Sequence, residues 1–317
     1  MVEVNLKSMV SALLSEKVIL ILITISLFIA IWHLQSIAYE IVPNYVNLQM
    51  KQLDGQRVVY VEPNNIGSVI MTYPLMKLTG ISSETIIRTW KMVAFMGFLI
   101  VFYLLTKSFK LTILNFAYAP TIINIFVCDV AASMFLYILA IYLFVNNKKV
   151  YAYLCSIPLV MFRHEALVVF AGFLLYDFIE RESIYNFIKR NALNVFICFV
   201  AAGIYLYGQY YFYGSPFANF MLNVSGTIKL SEFPLYVYVI RYSLLFVMAV
   251  TSLLLFKKDK ILFILNTMLT LTYTYFALFG FDYAIFAVQV YYGWMFQYTI
   301  IALAYYAGEY DGVKVFK

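Results

Sequence analysis

The residues of this chain able to do chemistry stand where long apolar runs break. Glu40 follows the first such run in Tyr39-Glu40-Ile41-Val42-Pro43, a carboxylate at the water interface beside a large apolar body. Partial desolvation there makes a carboxylate a better general base, although a solvated acid marking a helix end reads the same way. Asp129 lies in a tight turn between two apolar runs, where capping the next helix and taking a proton are compatible roles. The run Met161-Phe162-Arg163-His164-Glu165-Ala166 sets three ionisable groups between two further apolar segments. Charges at such a depth are costly unless paired or functional. Two readings follow: an Arg163–Glu165 pair with His164 as polar neighbour, or Arg163 facing an anionic group with Glu165 orienting it. His164 has no companion at metal-ligand spacing, and His33 lies inside the first apolar run, so no zinc site is expected. The aromatic run 205–213 leads into Gly214-Ser215-Pro216-Phe217-Ala218-Asn219. Such a cluster reads as an interfacial aromatic belt or as a platform for sugar rings.

The elements that position these groups follow from composition. The chain has 317 residues, 64% hydrophobic and 12% charged, with a mean hydropathy of +0.86. Apolar runs of about 20 residues match a hydrocarbon core about 30 Å thick. They lack the alternation of barrel strands, so an all-α polytopic membrane protein is expected. Hydropathy places about ten spans at 18–37, 93–106, 111–127, 130–145, 150–162, 166–180, 191–211, 236–256, 261–280 and 290–307. The first is expected to be a retained helix, and residues 1–317 a single transmembrane domain without a separate soluble one.

Charge orients this arrangement. With the N-terminus inside, Lys107, Lys110, Lys148, Lys149, Arg181, Lys189, Arg190, Lys257, Lys258 and Lys260 fall in cytoplasmic connections. Glu40, Asp54, Glu62, Asp129, Glu165, Glu232 and Asp282 fall on the opposite, extracytoplasmic side, where the long connections 38–92 and 212–235 lie. The first of these carries an amphipathic stretch, Ile41 to Leu53, expected to lie along the membrane, and a Pro-Asn-Asn-Ile-Gly turn at 63–67. The net charge of +6 thus reports topology and anionic-lipid contact rather than nucleic acid. Cys128, Cys155 and Cys198 are scattered and define no redox compartment. Asn223-Val224-Ser225 is a sequon on the expected outer side.

In their order along the chain these segments resemble the integral-membrane glycosyltransferases of the GT-C fold. Tyr39-Glu40 stands at that family's acidic pair, and Asn65 to Leu75 resembles its following Gly-containing segment. Asp129 stands at the acid before an apolar helix. Arg163-His164-Glu165-Ala166 resembles an Arg-Pro-Glu-Gly motif, and Tyr211 to Asn219 a Tyr-Tyr-Gly-Asp-Pro-Leu-Pro-Asn string. Gly280-Phe281-Asp282 with Gln289 corresponds to a late Gly-Gly-Asp followed by Arg. Glu40, His164 and Gln289 depart from the family's Asp pair, Pro and Arg.

The resemblance implies inverting transfer of a sugar from a polyprenyl- or dolichyl-phosphate donor to a lipid or glycan acceptor hydroxyl on the extracytoplasmic side. A carboxylate must take the hydroxyl proton and a cation must steady the departing phosphate. Glu40 is the expected base, with Asp129 and Asp54 as alternates. Arg163 is the expected phosphate contact, with Glu165, His164, Tyr213, Asn219 and Asp282 as substrate-binding residues. Lys91, Arg88 and Arg241 are further cations that interface snorkelling explains equally well. No cofactor is expected, with a divalent metal left open. The rival reading is a transporter or flippase, which calls for ionisable groups near the bilayer midplane in broken helices.

Overall fold

A computed structural model describes residues 18, 21–22, 25–26, 29, 50–55, 66–109, 111–112, 130–180, 183–217, 235–256, 258–279, 299 and 301. Regular structure among the described residues is helical, with no strand. In chain order the helices are α1 (Ile66–Thr79), α2 (Ser83–Thr106), α3 (Val130–Val145), α4 (Lys149–Leu154), α5 (Ser156–Phe162), α6 (Leu167–Ile179), α7 (Ile184–Tyr213), α8 (Leu235–Leu255) and α9 (Lys260–Phe279), with a 3-10 turn at His164–Ala166 between α5 and α6.

Local chemistry sets several boundaries. The Ser82 hydroxyl accepts from the Thr85 amide at 3.3 Å and opens α2. The helix therefore begins ten residues before the expected 93 and takes in Arg88 and Lys91. Ser183 opens α7 in the same way. Gly214, at φ 74°, closes it with its amide donating to the Tyr210 carbonyl, a left-handed cap that glycine adopts without strain. The expected span 150–162 is in fact two helices, α4 and α5, meeting at Cys155. Pro158 has no amide to continue the ladder, and its ring crowds the carbonyl four residues back at Leu154.

The connection before α2 also departs from expectation. Ile66 and Gly67, expected in a turn, are the first residues of α1, and residues 63–65 lie outside the described residues. Gly67 is needed there, because a Cβ at this position would sit 2.8 Å from the Phe162 ring. Of the expected amphipathic stretch, residues 50–53 are helical and 41–49 lie outside the described residues.

Two helices, α2 with 24 residues and α7 with 30, are long and apolar enough to cross a membrane. At 1.5 Å per residue they are about 36 and 45 Å long. Of the most apolar window of α7, 28% is buried, against 61% for α2. Tyr185, Ile188, Leu193, Phe196, Phe199 and Tyr207 of α7 all project from the protein. An apolar face of this extent marks contact with a membrane or another apolar partner.

α2 and α3 pack in the same direction. Ala131 and Ala132 share a cluster with Trp90 and Ala94, Phe135 lies against Gly97, and Phe144 and Val145 share the other cluster with Phe102 and Leu105. Two ends of the bundle follow. At one, Lys149 pairs with Asp177 at 2.5 Å, Lys260 pairs with Glu180 at 2.9 Å, and the Phe144 ring stacks on Phe173 at 4.0 Å. The starts of α4 and α9 thus meet the ends of α3 and α6. At the other end the starts of α2 and α3 and the ends of α5 and α7 converge with α1 around Trp90, Ala131, Phe162, Phe212 and Ile66.

Candidate functional site

The Arg163-His164-Glu165 turn stands at this second end. α5 stops at Phe162, Arg163 takes an extended backbone (φ −149°, ψ 98°), and the 3-10 turn carries the chain into α6. The side chains of Arg163 and Glu165 are 11% and 3% exposed, with Arg163 Nε 2.9 Å from Glu165 Oε1. The other carboxylate oxygen, Oε2, lies 3.4 Å from His164 Nδ1. Glu165 therefore bridges a guanidinium and an imidazole. The His164 ring stacks on Tyr205 of α7, with centroids 5.3 Å apart and planes 20° apart. Burial holds His164 below its ordinary 6.5, ahead of the opposing pull of Glu165 and the added push of Arg163.

Around this turn, Phe162 packs against Trp90 at 5.6 Å between ring centroids, which brings the adjacent segment of α2 alongside. Lys91, next to Trp90, is 1% exposed. Snorkelling to an interface does not describe a lysine enclosed in protein. Arg88 pairs with Glu84 one helical turn earlier. Tyr213 packs partly buried against the Trp90 and Phe162 cluster at the end of α7. Gln52 ties the segment before α1 to that same helix end, its Nε2 donating to the Phe212 carbonyl at 3.2 Å and to the Tyr211 carbonyl at 3.4 Å.

Asp54 is occupied elsewhere. Its Oδ1 accepts from the Tyr73 hydroxyl at 2.7 Å and lies 3.0 Å from Lys77 Nζ. The Tyr73 hydrogen bond and then Lys77 hold its carboxyl below the usual range, which makes it a poor proton acceptor. Glu40, Asp129, Asn219, Asp282 and Gln289 lie outside the described residues, as does the sequon. α3 begins at Val130, next to Asp129, at the same end of the bundle as Arg163. Of Arg241 only the backbone, within α8, is described.

Three contributions to the site escape sequence reasoning: the enclosure of Lys91, the Gln52 tie and the stacking of Tyr205 under His164. Only the last left a trace, in the aromatic run 205–213. Among the described residues no three of His, Cys, Asp and Glu come together as a metal-ligand set. What the turn offers chemically is a fixed guanidinium, already desolvated, held by a carboxylate that an incoming anion would replace. No protein-family model, curated protein or solved structure matches this chain.

Proposed function

We propose that this chain is a multi-pass membrane glycosyltransferase of GT-C type. It moves a sugar from a polyprenyl-phosphate donor to an acceptor hydroxyl on the extracytoplasmic side, with inversion at the anomeric carbon. The observation that carries the reading is the Arg163–Glu165 pair, enclosed where α1, α2, α3, α5 and α7 converge and opposite the end that holds Lys107, Lys148, Lys149, Lys189, Arg190, Lys258 and Lys260. The positive-inside rule puts those seven cations in the cytoplasm and the pair outside.

In this reading Glu165 keeps the guanidinium in place until the donor binds, and Arg163 then meets the departing phosphate. Glu40 takes the acceptor proton, with Asp129 as its alternate. Asp54 drops out of the role, since Tyr73 and Lys77 hold it as a weak base. Transport is less well supported. The described ion pairs stand at helix ends, and Asn266, buried within α9, is uncharged and bonded to Met248, Ser252 and Thr299.

The test is sugar transfer by purified protein from a panel of radiolabelled polyprenyl-phosphate sugars, with membrane lipid extract as acceptor. Glu40→Gln should abolish transfer in folded protein, and Arg163→Ala should weaken donor binding more than acceptor binding. Absence of transfer from every donor by folded protein would put transport ahead.

A further inference from the structure

Glu165 is shared between two groups of opposite behaviour, and that sharing has a consequence for any anion that binds Arg163. Its Oε1 lies 2.9 Å from a permanently charged guanidinium and its Oε2 lies 3.4 Å from an imidazole that can be neutral or charged. Without a ligand the carboxylate's charge is largely matched by Arg163, and His164 has little reason to hold a proton.

We infer that the site takes up its phosphate group together with one proton, and that His164 is where the proton goes. The inference rests on the reading of Arg163 as a phosphate contact. A phosphate oxygen meeting Arg163 supplies the counter-charge that Glu165 now supplies. Two changes then act on His164 in the same direction: the repulsion from Arg163 is offset, and Glu165 becomes free to accept from Nδ1. The phosphate's own negative charge adds a third. The Tyr205 ring, stacked on the imidazole, contributes its π face, which favours the cationic form.

Burial is the first influence on His164, and α2, which reaches the turn through Trp90 against Phe162, brings Lys91, 1% exposed, and the Glu84–Arg88 pair. α5 carries no charged residue, and the titratable residues of α6 are Tyr176 and Asp177, at the far end of that helix. From α7 the nearby titratable groups are tyrosines, Tyr205 first among them, with Tyr207, Tyr210, Tyr211 and Tyr213 beyond. Arg163 and Glu165 are the charges of the turn itself. By linkage, proton uptake on binding and pH-dependent affinity are one fact. Between the free and the ligand-bound midpoints of His164, phosphate affinity falls about tenfold for each unit rise in pH. A phosphodiester and a phosphate monoester share this chemistry, as do a lipid headgroup and free phosphate.

The experiment uses full-length protein carrying His33→Gln, so that His164 is the one histidine of the chain. Three probes are titrated: inorganic phosphate, a short-chain prenyl phosphate and the matching prenol without phosphate. Binding enthalpy in two buffers of different ionisation heat counts protons, and the NMR signal of a ¹⁵N-labelled imidazole follows His164 directly. Expected are binding of the prenyl phosphate with up to one proton taken up at pH 7, a rise of about one unit or more in the His164 midpoint, and no response to the prenol. Equal response to inorganic phosphate would assign the recognition to the phosphate alone; a response to prenyl phosphate only would assign it to the lipid headgroup in its chain, and both support the inference. His164→Asn should still bind phosphate but take up no proton. Phosphate binding with an unmoved His164 and no proton uptake would overturn the inference and leave the phosphate reading standing. No binding of either phosphate by folded protein would overturn both.

Discussion

Substituting Gly67 by alanine tests whether α1 presses on the site through Phe162. An alanine Cβ would meet the Phe162 Cδ1 and Cγ at 2.8 Å and Cε1 at 2.9 Å. Carbon atoms sit best about 3.5–4.0 Å apart, so the ring must retreat by roughly 0.7 Å or more. It has little room, being 3% exposed and packed against Trp90. Overpacking of this kind costs about 1–3 kcal/mol, and alanine in place of glycine in a helix returns about 0.5–1 kcal/mol. The net expectation is destabilisation of up to about 2.5 kcal/mol, with phosphate binding weakened because Arg163 follows Phe162 directly. Gly203 of α7 is the control, since a Cβ there has nothing within 4 Å; Gly203→Ala should stabilise by about 0.5–1 kcal/mol. The assay is equilibrium unfolding in mixed micelles titrated with SDS, read by tryptophan fluorescence, beside phosphate affinity. Gly67→Ala with Phe162→Leu should recover about 1 kcal/mol or more relative to the sum of the single changes. Should Gly67→Ala prove as stabilising as Gly203→Ala, α1 does not pack on Phe162 as described.

Asn266→Ala removes the partner of the Met248 carbonyl at 2.9 Å, of Ser252 Oγ at 2.8 Å and of the Thr299 hydroxyl at 2.7 Å. It should cost about 2–4 kcal/mol in the same unfolding assay, and a loss under 1 kcal/mol would show the network to be replaceable. The Asp54, Tyr73 and Lys77 cluster should give a defined pH profile. Asp54 is lowered from 3.8, so its contribution is present above that value and disappears as pH falls through the folded one; Lys77 is raised from 10.5, so its contribution is present below that value and disappears as pH rises through the folded one. Asp54→Asn should remove both slopes, and an unchanged profile would dissociate the cluster from stability.

How much of this was legible in the sequence depended on whether the deciding interaction was local. α3 coincides with the expected 130–145, and α8 and α9 are each displaced by one residue, because a long apolar run bounded by charges leaves hydropathy little choice, even with Arg241 inside α8. The start of α2 was hidden by Glu84, Arg88 and Lys91. These depress mean hydropathy, yet two of them pair across one turn and the third is enclosed by protein. Pro158 was hidden in the opposite sense, since an apolar proline leaves hydropathy high while ending the amide ladder. At the basic end the acids Asp177 and Glu180 went unread, because their partners Lys149 and Lys260 are distant in sequence. The Arg163–Glu165 pair was visible because its members are two residues apart. Tyr205 beneath His164 and Trp90 against Phe162 were not, since no periodicity encodes a contact made between helices.

Two enclosed ion pairs among the described residues make different arguments. Lys149 and Asp177 belong to α4 and α6, so their pairing joins two helices and its desolvation cost is set against a gain in architecture. Arg163 and Glu165 sit on one turn, 11% and 3% exposed, and their pairing fastens no helix to another. Burying two charges costs several kcal/mol per ion before they attract each other, and apolar residues of similar volume often do as well or better. A purely structural turn would therefore favour apolar side chains here. Replacing both, as Arg163→Met with Glu165→Leu, should leave stability within about 1 kcal/mol of the native protein or raise it, whereas Glu165→Leu alone should cost more than the double change by taking the carboxylate from a buried guanidinium. In the same double variant phosphate binding should be lost. Stability collapsing in the double variant as far as in the single one would mean that the pair holds the fold, and the case for a phosphate site at this turn would lose its physical footing.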